Sequence, residues 1–212
     1  LVQSGYASRI SGYEILDVFI SILWIVGITN AFNFIDNLDG AAAGITIIVS
    51  MTIFVISFFG NQFLIALLAL SLFGSGLGFL FWNKNPARIY LGDGGALFIG
   101  IVLSVLMLQV QTQAQDTFAS LAIPLLVLAL PILDTSVVVT SRLYRGTSIF
   151  QGGKDHLSHR LQNYGFSKKL SVLILWSLSA LLSGIALLAN FADSAYQPPI
   201  TVFGLILALC LY

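Results

Sequence analysis

Residues 15–59 read ILDVFISILWIVGITNAFNFIDNLDGAAAGITIIVSMTIFVISFF, which is two apolar runs joined by a short polar segment. Each run has the length that a helix needs to cross a bilayer, roughly 17 to 25 residues. In the whole 212-residue chain 58% of the residues are hydrophobic and only 8% are charged. A soluble domain has roughly 25% charged residues. The sequence therefore predicts an all-α, polytopic transmembrane helix bundle.

Apolar runs of this kind recur along the chain, and about seven transmembrane helices are predicted. No linker or repeat divides them, so residues 1–212 are expected to form a single integral-membrane domain. The chain starts at Leu1 with a short polar stretch, and its last apolar run has no flanking loop. We therefore expect a fragment of a longer protein, without its N-terminal helices. The predicted spans are residues 15–32, 41–59, 63–82, 96–111, 117–139, 170–190 and 198–212.

The loops differ in charge from one side of the predicted bundle to the other. If the helices alternate in direction, residues 33–40, 83–95 and 140–169 lie on one side, and that side holds every basic residue except Arg9. The positive-inside rule makes this side cytoplasmic. The basic residues concerned are Lys84, Arg88, Arg142, Arg145, Lys154, Arg160, Lys168 and Lys169.

The first polar cluster on this side is NAFNFIDNLDGAAAG, residues 30–44. It places Asn30, Asn33, Asp36 and Asp39 at a membrane border, where carboxylates need a cation, a water path or a substrate. The alternative is helix capping, with Asp39 as N-cap of the following helix. One helix start does not require four polar groups, so a polar site is favoured.

The second cluster is NKNPARIYLGDGG, residues 83–95. Asp93 could be the N-cap of a helix that begins near Ala96, and its glycine neighbours allow a ligand to approach the backbone closely. A helix N-terminus also favours phosphate, and a carboxylate beside phosphate requires a cation such as Mg²⁺ between them. Asn83 and Tyr90 could hydrogen-bond to a base and stack on it, although a membrane-interface position explains Tyr90 equally well.

The third cluster is the basic stretch at residues 142–169. Ordinary positive-inside charge would explain its arginines and lysines. Two histidines spaced HxxH behind a lysine favour an anion site instead, and a zinc site is disfavoured because cysteine ligands are absent. The candidate residues are Arg142, Arg145, Lys154, His156, His159 and Arg160.

Two features inside the apolar runs carry further predictions. Asp134 is expected near the cytoplasmic end of its span, either as a partner of Arg142 or Arg145 or with a direct role in the site. In GSGLG, Gly74 and Gly78 are predicted to let two helices pack closely, because small residues four apart do so in membranes.

The three clusters resemble the motifs of the polyprenyl-phosphate N-acetylhexosamine-1-phosphate transferases, a family that includes phospho-N-acetylmuramoyl-pentapeptide transferase. Residues 30–44 are similar to N-x-x-N-x-x-D-G-x-D-G-L-A-x-G, with Asn37 in place of a glycine. Residues 83–95 resemble N-x-x-P-A-x-x-F-M-G-D-x-G. KDHLSHRL resembles the D-x-H-x-H-H-x-L form, with Ser158 in place of a histidine, and not the triple-histidine form of the muramoyl-pentapeptide branch. The resemblance covers residues 30 to about 166.

The resemblance implies a membrane enzyme whose active site lies in cytoplasmic loops. In this family a polyprenyl phosphate, here expected to be undecaprenyl phosphate, attacks the β-phosphorus of a UDP-N-acetylhexosamine and UMP leaves. Mg²⁺ is the implied cofactor, with Mn²⁺ as an alternative, and Asp93 is its implied ligand. The resemblance implies a multi-pass protein of the cell inner (plasma) membrane with no nucleic-acid partner, and homodimerisation stays open.

The implied roles divide the candidate residues into two groups. Asp36, Asp39, Asp93, His156 and His159 are assigned to catalysis, with the histidines on the diphosphate or the sugar. A second group is assigned to substrate binding. Asn33 lines the nucleotide-sugar site together with Asp36, and Asn83 and Tyr90 hold the uracil together with Asp39. The substrate-binding set is Asn30, Asn33, Asn83, Tyr90, Arg142, Arg145 and Lys154.

One motif of the family is missing from this sequence. Members carry an adjacent pair of aspartates on an earlier cytoplasmic loop, and this chain has no two adjacent acidic residues. Residues 1–212 alone are therefore expected to be inactive. Two other classes of protein remain as alternatives: a transporter or channel, which would place its acids near the bilayer midplane, and an inactive relative that serves as an assembly partner.

Overall fold

The computed structural model describes residues 12–148, 153 and 155–211. Within these ranges all regular structure is helical, which confirms the all-α prediction. The helices of the described residues are α1 (Glu14–Ile35), α2 (Ala41–Phe59), α3 (Phe63–Asn83), α4 (Gly92–Gln109), α5 (Thr117–Val127), α6 (Ala129–Tyr144), α7 (Leu157–Asn163), α8 (Lys168–Phe191) and α9 (Gln197–Cys210).

Five of these helices, α1 to α4 and α8, are long and apolar enough to cross a membrane. The span predicted at residues 117–139 is broken instead: α5 and α6 meet at Leu128 with a 71° bend and form a sixth span only if taken together. Pro131 has no N–H for the carbonyl of Val127, so the α-helical ladder cannot continue through this point. The last predicted span contains α9, which has only 14 residues.

Helix α2 lies at the centre of the bundle and packs against α3, α8 and α4, while α1 packs against α4 and α6. Small residues permit the closest approach, as at Gly44, where an added Cβ would lie 2.0 Å from the indole of Trp176 on α8. The same indole N–H donates to the carbonyls of Gly40 and Ala41, at 3.2 and 3.4 Å. Trp176 therefore fixes the start of α2 against α8.

The prediction that Gly74 and Gly78 of α3 let two helices pack closely was wrong. An added Cβ at Gly74 or Gly78 would have no neighbour within 4 Å, whereas one at Gly76 would lie 3.0 Å from the Ile47 side chain of α2. The helix contact therefore forms at Gly76, which lies between the two predicted positions.

The connections meet at two opposite ends of the bundle, as the alternation of helices predicts. At one end side-chain amides bind the extended segment 110–116: Gln62 exchanges two hydrogen bonds with Gln111, and Asn190 accepts one from the backbone N–H of Gln113. Gln197 accepts two more from the N–H groups of Gln115 and Asp116. The three motif-bearing segments lie together at the other end.

Candidate active site

The site is organised around a turn of residues 36–40, here called the acidic turn, that joins α1 to α2. Asp36 is the C-cap residue of α1, and Gly40 is the N-cap residue of α2 with a φ of 82°. The start of α2 has no side-chain cap, so the reading of Asp39 as an N-cap was wrong. A glycine is needed at position 40 because L-residues with a side chain rarely adopt this left-handed conformation.

Asp39 instead binds the segment that follows α3. One of its carboxylate oxygens accepts hydrogen bonds from the Asn85 side chain, at 2.8 Å, and from the backbone N–H of Ala87, at 3.1 Å. The adjoining Asn85–Pro86 peptide bond is cis. A carboxylate that accepts two such bonds fixes the path of this segment beside the acidic turn.

Asn83 makes a second connection between the same two segments. Its side-chain oxygen accepts from the N–H of Gly40 at 3.0 Å, and its amide donates to the carbonyl of Ile89 at 2.9 Å. Asn83 is only 2% exposed, while Tyr90 is 75% exposed. Asn83 therefore organises the backbone, and the ring of Tyr90 is free to contact a ligand.

These connections enclose a cavity of about 160 Å³ between the first two predicted clusters. Its polar lining includes the candidate residues of both clusters. The lining residues are Asp36, Asn37, Leu38, Asp39, Asn83, Tyr90 and Leu91.

The carboxylates of this region repel one another. Burial, and after it the negative charges of Asp93 and Asp39, raises the pKa of the Asp36 carboxyl from 3.8 to about 6. Asp93 itself is exposed in the first turn of α4, which begins at Gly92 and not near Ala96. The N-cap residue of α4 is Leu91, so Asp93 is not the predicted cap.

This donor set fits a magnesium ion that is bound together with a phosphate ligand. Among the described residues no three His, Cys, Asp or Glu side chains converge to hold a metal by themselves. Mg²⁺ typically uses one or two carboxylates and completes its shell with phosphate oxygens and water. A cation beside Asp36 and Asp93 would offset the repulsion that raises the pKa of Asp36.

The third cluster lies against the same end of the bundle, and its histidines are in or next to a short helix, α7. His156 precedes α7, and its Nδ1 lies 2.8 Å from a carboxylate oxygen of Asp134 on α6. The other oxygen of Asp134 accepts from the backbone N–H of Leu157 at 2.7 Å. His156 is 7% exposed, so it contributes to the fold as well as bordering the site.

Of the two roles left open for Asp134, the pairing with Arg142 or Arg145 was wrong, because Asp155 contacts both arginines. Its carboxylate lies 2.8 Å from Arg145 and 3.4 Å from the largely buried Arg142. Lys154, another basic candidate of this cluster, lies outside the described residues.

The structure also places the two asparagines of α1. Asn33 is half-buried in the last turn of the helix, one turn before Asp36. Asn30 is exposed and its amide donates to the carbonyl of Val26 in the same helix, so no described contact links it to the rest of the site.

Two contacts of the site were not found by sequence reasoning. Ser158 of α7 donates a hydrogen bond to the side-chain oxygen of Asn37 in the acidic turn, at 2.5 Å. Asp155 anchors two arginines, and its position directly before His156 was the only available signal. Hydrophobic periodicity predicts helices, but it does not predict contacts between residues that are far apart in sequence or that lie in a loop, and these two contacts are of those kinds.

Comparison with known proteins supports the resemblance. The sequence model of Glycosyl transferase family 4 matches residues 5–111. The probable undecaprenyl-phosphate N-acetylglucosaminyl 1-phosphate transferase of Bacillus subtilis is 40% identical over 173 residues, 82% of this chain and 48% of the relative.

Two further relatives have related names. Decaprenyl-phosphate N-acetylglucosaminephosphotransferase of Mycolicibacterium smegmatis is 34% identical over 77% of this chain and 45% of its own length. Phospho-N-acetylmuramoyl-pentapeptide-transferase of Listeria welshimeri is 30% identical over 76% of this chain and 48% of its own length. The chain thus spans about half the length of the curated relatives that it matches.

Proposed function

Since this chain belongs to glycosyl transferase family 4, we propose that the protein transfers N-acetylhexosamine-1-phosphate from a UDP-sugar to a polyprenyl phosphate. The oxygen of the lipid phosphate attacks the β-phosphorus, the bond to the α-phosphate oxygen breaks, and UMP leaves. The products are a polyprenyl diphosphate sugar and UMP. N-acetylglucosamine is the proposed sugar and undecaprenyl phosphate the proposed acceptor, because the Bacillus subtilis relative carries both in its name.

The observation that carries this proposal is the meeting of three separate motif segments at one end of the bundle. Asp39 and Asn83 bind the segment after α3 to the acidic turn, and Ser158 binds α7 to the same turn. Carboxylates, an exposed aromatic ring and basic or imidazole groups thereby border one region. A nucleotide diphosphate-sugar requires this combination of groups, since phosphoryl transfer depends mainly on positioning and on charge neutralisation.

The proposed division of labour follows from the contacts. Bound Mg²⁺ would neutralise the negative charge of the diphosphate. Asp36 and Asp93 are its proposed ligands, and Tyr90 is the proposed stacking surface for uracil. His159 and the buried Arg142, held by Asp155, are proposed to contact the diphosphate-sugar.

An apolar cavity supports a lipid acceptor. It has a volume of about 380 Å³ and lies between α1 and the two helices that meet at the bend, α5 and α6. Its lining runs along α1 from Ile20 to Ala31, that is, towards the end that bears the acidic turn. We propose that this end faces the cytoplasm of an inner (plasma) membrane, where it has access to UDP-sugars, and the basic residues of its loops support this orientation. Homodimerisation stays a prediction.

The test is a transfer assay with the full-length protein in detergent. It is given undecaprenyl phosphate, Mg²⁺ and a panel of radiolabelled UDP-sugars, and both lipid-linked label and UMP are measured. We expect transfer from UDP-N-acetylglucosamine that stops with EDTA and returns with Mg²⁺ or Mn²⁺. Failure to label the lipid from any UDP-sugar would contradict the proposed function.

Asp93→Asn tests the metal assignment. The side chain is exposed, so the variant should fold normally and lose transfer, because a neutral amide is a poor Mg²⁺ ligand. Asp193→Asn is the matched control, since Asp193 is an equally exposed acid at the opposite end of the bundle. Normal turnover by Asp93→Asn would show that Asp93 does not bind the metal.

A further inference from the structure

The contact between Asn37 and Ser158 joins the acidic turn to α7. The Asn37 amide donates to the carbonyl of Phe34 at 2.9 Å, and its oxygen accepts from the Ser158 hydroxyl at 2.5 Å. Because the donor end of the amide is committed to Phe34, its oxygen is directed to α7. Ser158 is 1% exposed, so water does not replace this partner if it is lost.

The contact lies among the groups proposed to act on the substrate. Asn37 directly follows Asp36, and Ser158 directly precedes His159. The ring of Phe34, whose carbonyl orients Asn37, also meets the ring of His156 edge to face, with 6.1 Å between centroids. A shift of α7 along the acidic turn would therefore move both imidazoles relative to the carboxylate of Asp36.

Asn37 and Ser158 are two of the positions where this chain departs from the motifs that it resembles, and the structure brings these two into contact. Asn61 is the one non-glycine residue with a positive φ in the described ranges, so the backbone of position 37 does not require a glycine. The Asn37 side chain instead occupies space between the turn and α7. With a glycine at 37 that space is empty, and a side chain larger than serine is needed at 158 to reach the turn.

We propose that Asn37 and Ser158 form one exchangeable positioning unit, which docks α7 on the acidic turn and sets the place of His156 and His159 relative to Asp36. Asn with Ser and Gly with His are the two matched combinations. A glycine at 37 combined with Ser158 leaves a gap and a buried hydroxyl that lacks an acceptor. Asn37 combined with a histidine at 158 makes the imidazole overlap the Asn37 side chain. The catalytic consequence rests on the proposed function, whereas the docking itself does not.

The experiment compares the wild type, Asn37→Gly, Ser158→His and the double exchange in the full-length protein. Docking is measured without any substrate, as the rate at which diethyl pyrocarbonate modifies His156, determined by mass spectrometry. Each single exchange should raise this rate roughly five-fold or more, since a buried hydrogen bond contributes about that factor to an equilibrium. The double exchange should return it to within about twofold of the wild type, because only coupled positions deviate from additivity.

Transfer kinetics give the second measurement. Each single exchange should lower kcat roughly five-fold or more with little change in KM for the UDP-sugar, because a displaced imidazole weakens contacts made in the transition state. The double exchange should restore kcat. Ser50→Ala is the control, since Ser50 is equally buried but bonds only to carbonyls of its own helix, and it should change neither measurement.

The outcomes separate the two proposals. If the effects of the single exchanges multiply in the double exchange, the positions are independent and the positioning unit is refuted. If His156 is modified faster in both single exchanges and at the wild-type rate in the double exchange, but the wild type transfers no sugar phosphate, the docking stands and the proposed function fails. If docking follows the combinations while kcat stays at the wild-type value throughout, the contact has no role in positioning for catalysis.

Discussion

Replacing Asp36 with asparagine is expected to stabilise the protein at neutral pH while abolishing transfer. The pKa of this carboxyl is raised to about 6, which means that the folded state disfavours its charged form. One pKa unit corresponds to about 1.4 kcal/mol, so the ionised carboxylate destabilises the fold by roughly 3 kcal/mol at most. Partial exposure reduces this to about 1–2 kcal/mol. The neutral asparagine has nearly the same shape and avoids this penalty.

The direction of the pH dependence follows from proton linkage. Between about pH 4 and pH 6 the folded wild type holds a proton on Asp36 that the unfolded chain has released, so the free energy of unfolding falls as the pH rises. The variant lacks this dependence. Its advantage should be near zero at about pH 4 and complete above about pH 6.

Thermal unfolding in detergent at pH 4.5 and at pH 8 measures this difference. Asp36→Asn should unfold a few degrees above the wild type at pH 8 and close to it at pH 4.5. Asp193→Asn, which removes an exposed acid, should match the wild type at both values. The reasoning is refuted if Asp36→Asn unfolds earlier than the wild type at pH 8, or if its advantage is the same at both pH values.

Two further predictions concern packing and the attachment of α7. Gly44→Ala should destabilise the protein by about 2 kcal/mol or more, because its methyl group would overlap Trp176. Gly78 has open space around it, so Gly78→Ala should raise the melting temperature slightly through helix propensity. Equal melting temperatures for the two variants would contradict this account of the α2–α8 contact. Asp134→Ala should lower the free energy of unfolding by about 2–4 kcal/mol and reduce kcat, since it leaves His156 and the N–H of Leu157 without their buried acceptor. Chemical denaturation and steady-state kinetics measure the two effects. If Asp134→Ala is as stable as the wild type, Asp134 does not hold α7.

The class of fold and the grouping of three polar segments at one end of the bundle could be predicted from the sequence. Apolar length identifies a membrane helix because the bilayer imposes a nearly fixed thickness. The alternation of connections then placed three polar segments on one side, and the hydrogen bonds of Asp39 and Ser158 confirm that these segments meet. The break at Leu128 was missed because composition alone reports an uninterrupted apolar run.

The finer assignments failed where several partners competed for one side chain. Asp39 and Asp93 both precede helical sequence, so local rules offered capping as an alternative role for each, but tertiary contacts engage Asp39, and α4 already begins at Gly92. Pairing with an arginine was one of the two roles left open for Asp134, because opposite charge is the simplest criterion. The arginines bind Asp155 instead, which leaves Asp134 for His156.

The two ends of the bundle differ in the chemistry that holds them together. At the end formed by Gln62, Asn190 and Gln197, side-chain amides bind the backbone of residues 110–116. Amides carry no titratable proton in the biological range, so this connection keeps its strength in acidic or alkaline surroundings. The end with the acidic turn depends on carboxylates and an imidazole, which are titratable groups. A change of pH would therefore act on one end of the bundle and leave the connection at the other end unchanged.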